Sequence, residues 1–232
     1  MREIVISILT YNKLEYTKKC LEKLFENTIM PYHRVVVTDN NSTDGTVKWL
    51  KTLDNKIRLI ENRENVGFAS AHNSVIETYP CHDIVLMNND IEVPFNWLRI
   101  LNEQAYSNDY GVVTPAIVQN GKLDVGAVLD SSAKGRSLVD DFKTEPDWVT
   151  GSCFYMTRNA ISSVGLLDNN FEFYYEDVDY CVRMKKIGIK FKCIKGVQVV
   201  HHNSVSSTPD KKREMMEKSR EYFIRKHSWG KR

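Results

Sequence analysis

The sequence predicts an α/β fold, one domain built on a mostly parallel, doubly wound central sheet. Three observations predict it. Short runs rich in Val and Ile alternate with helix-period segments through the first 90 residues. The polar clusters fall where those runs end, and ligands of such sheets bind beyond the carboxyl ends of the strands. The 232 residues are enough to bury one such core, without an internal repeat or a linker that would split the chain.

Residues 4–9 read as a buried strand ending in Thr10-Tyr11-Asn12, with Asn12 placed to cap a helix that carries Leu14, Thr17, Leu21, Leu24 and Phe25 on one face. Val35-Val36-Val37 is a second strand. The turn-rich segment 39–45 follows, and Ser42 or Thr43 can cap a helix over 46–53. Residues 57–60 form a third strand, 68–79 a third helix, and 84–87 a fourth strand that ends in Asn88-Asn89-Asp90. Strands separated by helices pair in parallel through right-handed crossovers. The second half is less regular. It has strand-like runs at 112–118 and 123–129 around Asn120-Gly121, another at 149–156, and a short helix before Gly165. A helix over 177–186 stops at Gly188, a strand over 191–200 ends in His201-His202, and a basic helix runs from Thr208-Pro209-Asp210 to about Lys226.

Composition narrows the function. A net charge of +2 implies no nucleic-acid partner, but residues 211–232 hold nine Lys or Arg against three Glu. That basic tail (208–232) has apolar residues that can pack on the domain, associate with a second copy or lie on a membrane surface. The five cysteines are scattered, with no Cys-x-x-Cys pair, so a reducing compartment is expected. The apolar run after Met1 is too short for a signal peptide, and no segment reaches the roughly 20 apolar residues that span a bilayer. A cytoplasmic protein is expected, peripheral at the inner membrane face if the tail meets lipid.

Several residue groups point to chemistry. Asn88-x-Asp90 puts a hard carboxylate at a strand end, suited to a divalent ion on phosphates; the same residues also make a plain turn. Glu176-Asp177 opens a helix, where acidic residues are favoured by the dipole in any case. Neighbouring carboxylates also raise one another's pKa, which helps a base. Asn65-Val66-Gly67 precedes a helix N-terminus that suits close approach of an anion. Asn73 is either a donor contact or an exposed helix residue. Arg183, with Lys185 or Lys186, can approach a diphosphate or simply complement a helix C-terminus. Asp39, Asn41 and Thr43 imitate a calcium loop, but Gly45 falls one residue late and Leu50 stands where Glu is needed.

Together, Thr10-Tyr11-Asn12, TDNNSTDGT at 38–46, NRENVGFASAHN at 62–73, LMNNDIEV at 86–93, WVTGSCF at 148–154 and YEDVDYCVR at 175–183 resemble family 2 glycosyltransferases of the GT-A fold, particularly the bacterial rhamnosyltransferase-like members. The resemblance covers about residues 3–207, with 1–95 as the nucleotide-sugar half and 96–207 as the acceptor and catalytic half. It implies an inverting transferase that uses Mn²⁺ or Mg²⁺ to move a sugar from UDP or dTDP, dTDP-rhamnose among the candidates, to a hydroxyl of a glycan or glycolipid. Asp177 would be the general base and Glu176 a ligand of the acceptor hydroxyl, with Asp179 structural. Asp90 and His201 would hold the metal, ahead of a Ser-rich loop at 203–207. Thr10, Tyr11, Asn12, Asp39, Asn41, Asn65, Gly67, Asn88, Asn89 and Arg183 would serve the donor, with Asp39 accepting a hydrogen bond from the base. Trp148 and Gly151 fall in the acceptor region, although Trp148 as plain core reads equally well. A sugar nucleotidyltransferase would need a Gly-rich basic loop where Thr10-Tyr11-Asn12-Lys13 stands. A non-catalytic sugar-binding module would be marked by loss of the Asp90 or Asp177 carboxylate, and both are present.

Overall fold

A computed structural model describes residues 3–119, 121–171, 173–202 and 209–230. Strand β1 (Ile4–Thr10) is apolar on both faces and lies at the centre, flanked in parallel by β2 (His33–Asp39) and β4 (Asp83–Asn88). β3 (Arg58–Glu61) pairs in parallel with β2 at that edge. On the other side the order continues through β9 (Cys153–Met156), β6 (Tyr110–Gln119), β10 (Lys190–His201) and β5 (Ile91–Glu92). β6 and β10 are parallel, whereas β9 runs antiparallel to both β4 and β6, and β5 antiparallel to β10. The sheet is therefore mixed and largely parallel. β7 (Lys122–Leu129) and β8 (Gly135–Val139) extend from β6 as an antiparallel flap.

This order brings the ends of β1, β2, β4 and β10 and the start of β9 to one edge, where the polar clusters gather. Two layers of core cover the sheet. Helices α1 (Leu14–Asn27) and α4 (Trp97–Ser107) lie over one face, with Leu21, Leu24, Trp97 and Leu101 fully buried. Helices α3 (Gly67–Thr78), α5 (Arg158–Val164) and α6 (Glu176–Lys186) lie over the other, with Val75, Ile161, Tyr180 and Met184 buried. Helix α7 (Pro209–His227) closes a third cluster with Phe171, Tyr175, Val178 and Val182. Its Phe223 is fully buried, worth about 2 kcal/mol relative to exposure, and Tyr222, Ile224 and Trp229 pack around it. The tail's main apolar residues thus face their own domain. Among the described residues no helix is long and apolar enough to cross a membrane.

Several local expectations are corrected. Asn12 does not cap α1: it and Lys13 are left-handed (φ 55° and 64°), and the first helical N–H, Leu14, donates to Asp44 from the next loop. Neither Ser42 nor Thr43 caps α2 (Thr46–Leu50). Gly45 is the left-handed cap residue, and Asp44 Oδ1 receives Thr46 N and Oγ1. Only 153–156 of the expected strand 149–156 is regular, because 150–151 turns toward α6. The sequence reading has no counterpart for α4, β5 or β8. Helix α4 carries a helical stripe at Trp97, Leu98, Leu101 and Ala105, but β8 buries only Leu138 and gives no alternation to read. Gly188 is left-handed (φ 76°) after α6, as the glycine suggested. Asn120 and the Ser-rich segment 203–207 lie outside the described residues.

Candidate active site

The β1–α1 and β2–α2 loops form one wall. Asn12 Oδ1 accepts from Thr43 N at 2.8 Å and Asn12 N donates to Ser42 Oγ at 2.7 Å, so the two loops are laced by one side chain from each. Asp39 is buried at the end of β2. Its Oδ1 accepts from Ser42 N at 2.8 Å, while Oδ2 is buried without a partner in the protein. A buried carboxylate oxygen costs free energy unless a donor reaches it, so this orphan fits an N–H from a bound ligand. Next to it Asn41 is left-handed (φ 70°) and exposed, and Tyr11 is exposed at the rim.

Asn40 was missed in the sequence. Its amide donates to Asn65 Oδ1 at 3.0 Å and accepts from Asn62 Nδ2 at 2.8 Å, fixing the loop before α3. Asn65 Oδ1 also accepts from Gly67 N at 3.1 Å, and Gly67 is left-handed at φ 80°. Nothing in a run of asparagines distinguishes the interior one from its exposed neighbours, so the sequence carried no signal for Asn40.

Three donor-side expectations change. The Thr10 hydroxyl is fully buried at 3.0 Å from Thr17 Oγ1, and Asn89 Nδ2 donates to both threonines at 3.1 and 2.8 Å. These three side chains build the floor, so the Asn89 amide does not reach a donor, while the expectation that the backbone around Thr10 and Tyr11 lines the nucleoside does not depend on these bonds. Arg183 is consumed by Asp179 and by the Val164 and Leu166 carbonyls, all at 2.7–2.8 Å, so it is removed from the donor set. Asn73 is buried and ties α3 to Leu167 and Asn169.

At the end of β4, Asp90 Oδ1 lies 3.2 Å from His201 Nε2, and Asn88 Nδ2 lies 3.3 Å from the same nitrogen. The register His201↔Ile91 between β10 and β5 creates this contact across 111 residues of chain. His202 points the other way, to Glu92, which Lys19 also meets at 3.0 Å. Of the two histidines, His201 is therefore the one beside Asp90. Among the described residues no third acidic, His or Cys group completes a cluster. A hard carboxylate and an imidazole suit Mn²⁺, or Mg²⁺ less well, when phosphate oxygens and water fill the rest of the shell.

Segment 150–153 joins this group to the carboxylate pair. Ser152 O accepts from Asn88 N at 3.0 Å, and one residue earlier Gly151 N donates to Asp177 Oδ2 at 2.8 Å. A Cβ on Gly151 would lie 3.2 Å from Asp177 Cβ, so glycine lets the two segments approach. Tyr174 and Tyr175 are consecutive left-handed residues (φ 66° and 68°), a conformation that is unfavourable for aromatic side chains and costs about 1–3 kcal/mol each. They turn the chain so that Glu176 and Asp177 open α6 beside Gly151. Sequence reading could not see this turn, since neither residue is Gly or Asn.

Burial raises the pKa of both carboxyls. Glu176 is pushed to about 8, with the Asp177 charge adding to its burial, and its Oε2 has no partner. Asp177 is pushed to about 6, the Gly151 and Val178 amides opposing the shift. Asp179 differs: burial favours its neutral form, but His227, Lys226 and Arg183 outweigh that and hold it below the usual carboxylate range. Trp148 is half-buried between two core clusters, with its Nε1 buried and its carbonyl accepting from Ala127 N at 3.0 Å. The core alternative for this residue is the one its packing favours, and it holds segment 147–151 instead of offering a free aromatic face.

One edge of a mixed α/β sheet thus carries an orphan carboxylate after β2, a carboxylate–imidazole pair after β4, and two pKa-raised carboxyls against the segment that leads into β9. Residues 5–168 match the family described as Glycosyl transferase family 2, and the chain belongs to that family. It is 25% identical over 87% of its length, and 76% of the relative's, to an N-acetylglucosaminyl-diphospho-decaprenol L-rhamnosyltransferase of Mycobacterium tuberculosis. It is 24% identical to the low-salt glycan biosynthesis hexosyltransferase Agl10 of Haloferax volcanii, over 75% of this chain but only 60% of that protein's length. Among solved structures, GalNAc-T7 with UDP, GalNAc and Mn²⁺ superposes on 97% of this chain and 48% of that one, with a TM-score of 0.78 and 15% identity. The mannosyltransferase PcManGT of Pyrobaculum calidifontis, in complex with GDP-Man and Mn²⁺, gives 0.63 and 18% over 86% of this chain and 56% of that one. These two show the fold, which is GT-A.

Proposed function

We propose that the protein is an inverting, divalent-metal-dependent glycosyltransferase that moves a sugar from a UDP or dTDP donor to a hydroxyl of a glycan or glycolipid. The observation that carries the reading is the chain of contacts from Asp90 and His201 through Asn88 and Ser152 to Gly151 and Asp177. It supports a base at Asp177, linked through segment 151–152 to a corner where a metal and a diphosphate would sit. Asp177, ionised, takes the proton of the acceptor hydroxyl as its oxygen bonds to the anomeric carbon. The bond from that carbon to the diphosphate breaks on the opposite face, and the nucleoside diphosphate leaves with the electron pair. No enzyme nucleophile is required. Glu176, protonated near neutral pH, can donate to an acceptor oxygen.

A divalent cation, Mn²⁺ or Mg²⁺, would be held by Asp90 and His201 and would supply positive charge for the leaving diphosphate. The Asp39 orphan oxygen suits the N–H of uracil or thymine. The M. tuberculosis relative's name, a rhamnosyltransferase acting on a diphospho-polyprenol sugar, supports dTDP-rhamnose as the first donor to try and a lipid-linked sugar as the first acceptor. A nucleotide-sugar donor also goes with the expected cytoplasmic location.

Thermal unfolding with dTDP, UDP and GDP, each with and without Mn²⁺, tests the donor site. A nucleotide at 100 times its Kd stabilises by about 2.7 kcal/mol, a rise of about 5–10 °C for a chain of this size. The rise is expected for dTDP or UDP only with Mn²⁺, and is expected to vanish in Asp90→Ala. A metal-independent rise, or none, would contradict the reading.

A further inference from the structure

The far side of α6 carries a carboxylate that has no part in the proposed reaction. Asp179 is fully buried and meets Arg183 Nε at 2.8 Å from its own helix, and Lys226 Nζ at 2.6 Å and His227 Nε2 at 2.8 Å from α7. Lys186 Nζ reaches His227 Nδ1 at 2.8 Å, which leaves Nε2–H to donate to Asp179. Lys226 also meets Asp168 at 2.7 Å, and that carboxylate receives the Tyr222 hydroxyl at 2.9 Å. The charged groups around Asp179 are thus Arg183, Lys186, Glu176 and Asp177 on α6, Lys226 and His227 on α7, and Asp168 before them.

The same helix grips the strained turn. Phe223 packs against the Tyr175 ring at 5.5 Å, and Ser219 Oγ donates to Phe173 O at 2.7 Å. The Tyr175 hydroxyl donates to Ala133 O at 2.7 Å, in a β7–β8 loop that α7 meets through Arg220 to Ser132 O and the residues just after α7 meet through Trp229 Nε1 to Asp130 O. Two adjacent left-handed tyrosines persist only where the surroundings over-determine them, and α7 supplies Phe223, Tyr222 and Ser219 to those surroundings.

We propose that α7 is a positioning element for the base: Lys226 and His227 through Asp179, and Phe223 through Tyr175, hold the turn that presents Glu176 and Asp177 to Gly151. This rests on Asp177 as base. The helix acts twice, by fixing backbone geometry and by cancelling the Asp179 charge that would otherwise fall on the pair two and three residues before it. Residues 209–230 are then part of the catalytic apparatus without touching either substrate.

The test is read without a substrate, by NMR of the labelled full chain. The Gly151 amide resonance reports the bond to Asp177, and the carboxyl carbons of Asp177 and Glu176 report their titration. Lys226→Met and His227→Ala should displace the Gly151 amide and raise both titration midpoints by about one pH unit, since a compensating cation or donor has been lost. His227→Gln, which keeps a side-chain N–H, should return both towards the wild type. Phe223→Leu removes no charge and should displace the Gly151 amide with little change in titration; it carries the test if Lys226→Met does not fold. Folded variants that lose thermal stability but keep wild-type Gly151 and carboxyl signals would overturn the proposal and leave α7 a stabiliser only. Transfer by Asp177→Asn decides the base reading separately: activity kept there would remove the base while the NMR result still stood.

Discussion

Asp177 and Asp179 lie two residues apart in the first turn of α6, and their surroundings shift their pKa values in opposite directions. Toward the substrate edge, Asp177 has two backbone amides and no cation, and burial lifts its pKa toward neutrality. Toward α7, Asp179 is buried too, yet its pKa is held below the usual carboxylate range, because Arg183, Lys226 and His227 surround it. Burial alone therefore does not decide a carboxylate's state; the charge of the groups brought against it does. In the proposed mechanism one side of the turn would serve proton transfer, while the other anchors α7.

The comparison can be broken at three strengths. Asp177→Asn carries the largest expected effect, a loss of about 10³-fold in transfer, since general-base catalysis contributes about 10²–10⁴-fold. Gly151→Ala comes next. Its new Cβ would stand 3.2 Å from Asp177 Cβ and 3.4 Å from Oδ2, tight enough to displace the carboxylate, and a fall in kcat of about tenfold with donor KM unchanged is expected.

The smallest effect is on stability. The folded-state pKa of Glu176 is raised from 4.5 to about 8, so the native state binds more protons than the unfolded chain between those values. Its cost is absent below pH 4.5, grows as pH rises, and is complete above pH 8. Glu176→Gln removes it, and thermal unfolding at pH 8.5 should show the variant at least about 3 °C above the wild type, a gap that closes by pH 4.5.

How much of this was legible follows from what each feature depends on. The β1–β2–β4 half could be read because its strands are apolar on both faces and its polar clusters follow them directly, as at Asp39 and Asp90. His201 could be placed beside Asp90 only through the resemblance, since the β10–β5 register pairs it with Ile91, 110 residues away in the chain. The second half hides its order. β9 runs against its neighbours, β8 lacks alternation, and the Tyr174–Tyr175 turn uses residues with no turn propensity. Arg183 was misassigned for a related reason: a basic residue near a helix C-terminus looks the same whether it faces a phosphate or, as here, Asp179 and two carbonyls. The tail's packing on its own domain was readable as one choice among three, and the burial of Phe223 shows that packing.

The most direct test of the central claim is Asp177→Asn measured two ways on one preparation: sugar transfer across pH, and the thermal shift given by nucleotide with Mn²⁺. Wild-type transfer should fall as pH drops through about 6 and Asp177 takes up its proton. The variant should keep the full nucleotide shift while losing about 10³-fold in rate. A variant that retains more than a few per cent of the activity, with the same acid limb as the wild type, would contradict the account and place the base elsewhere.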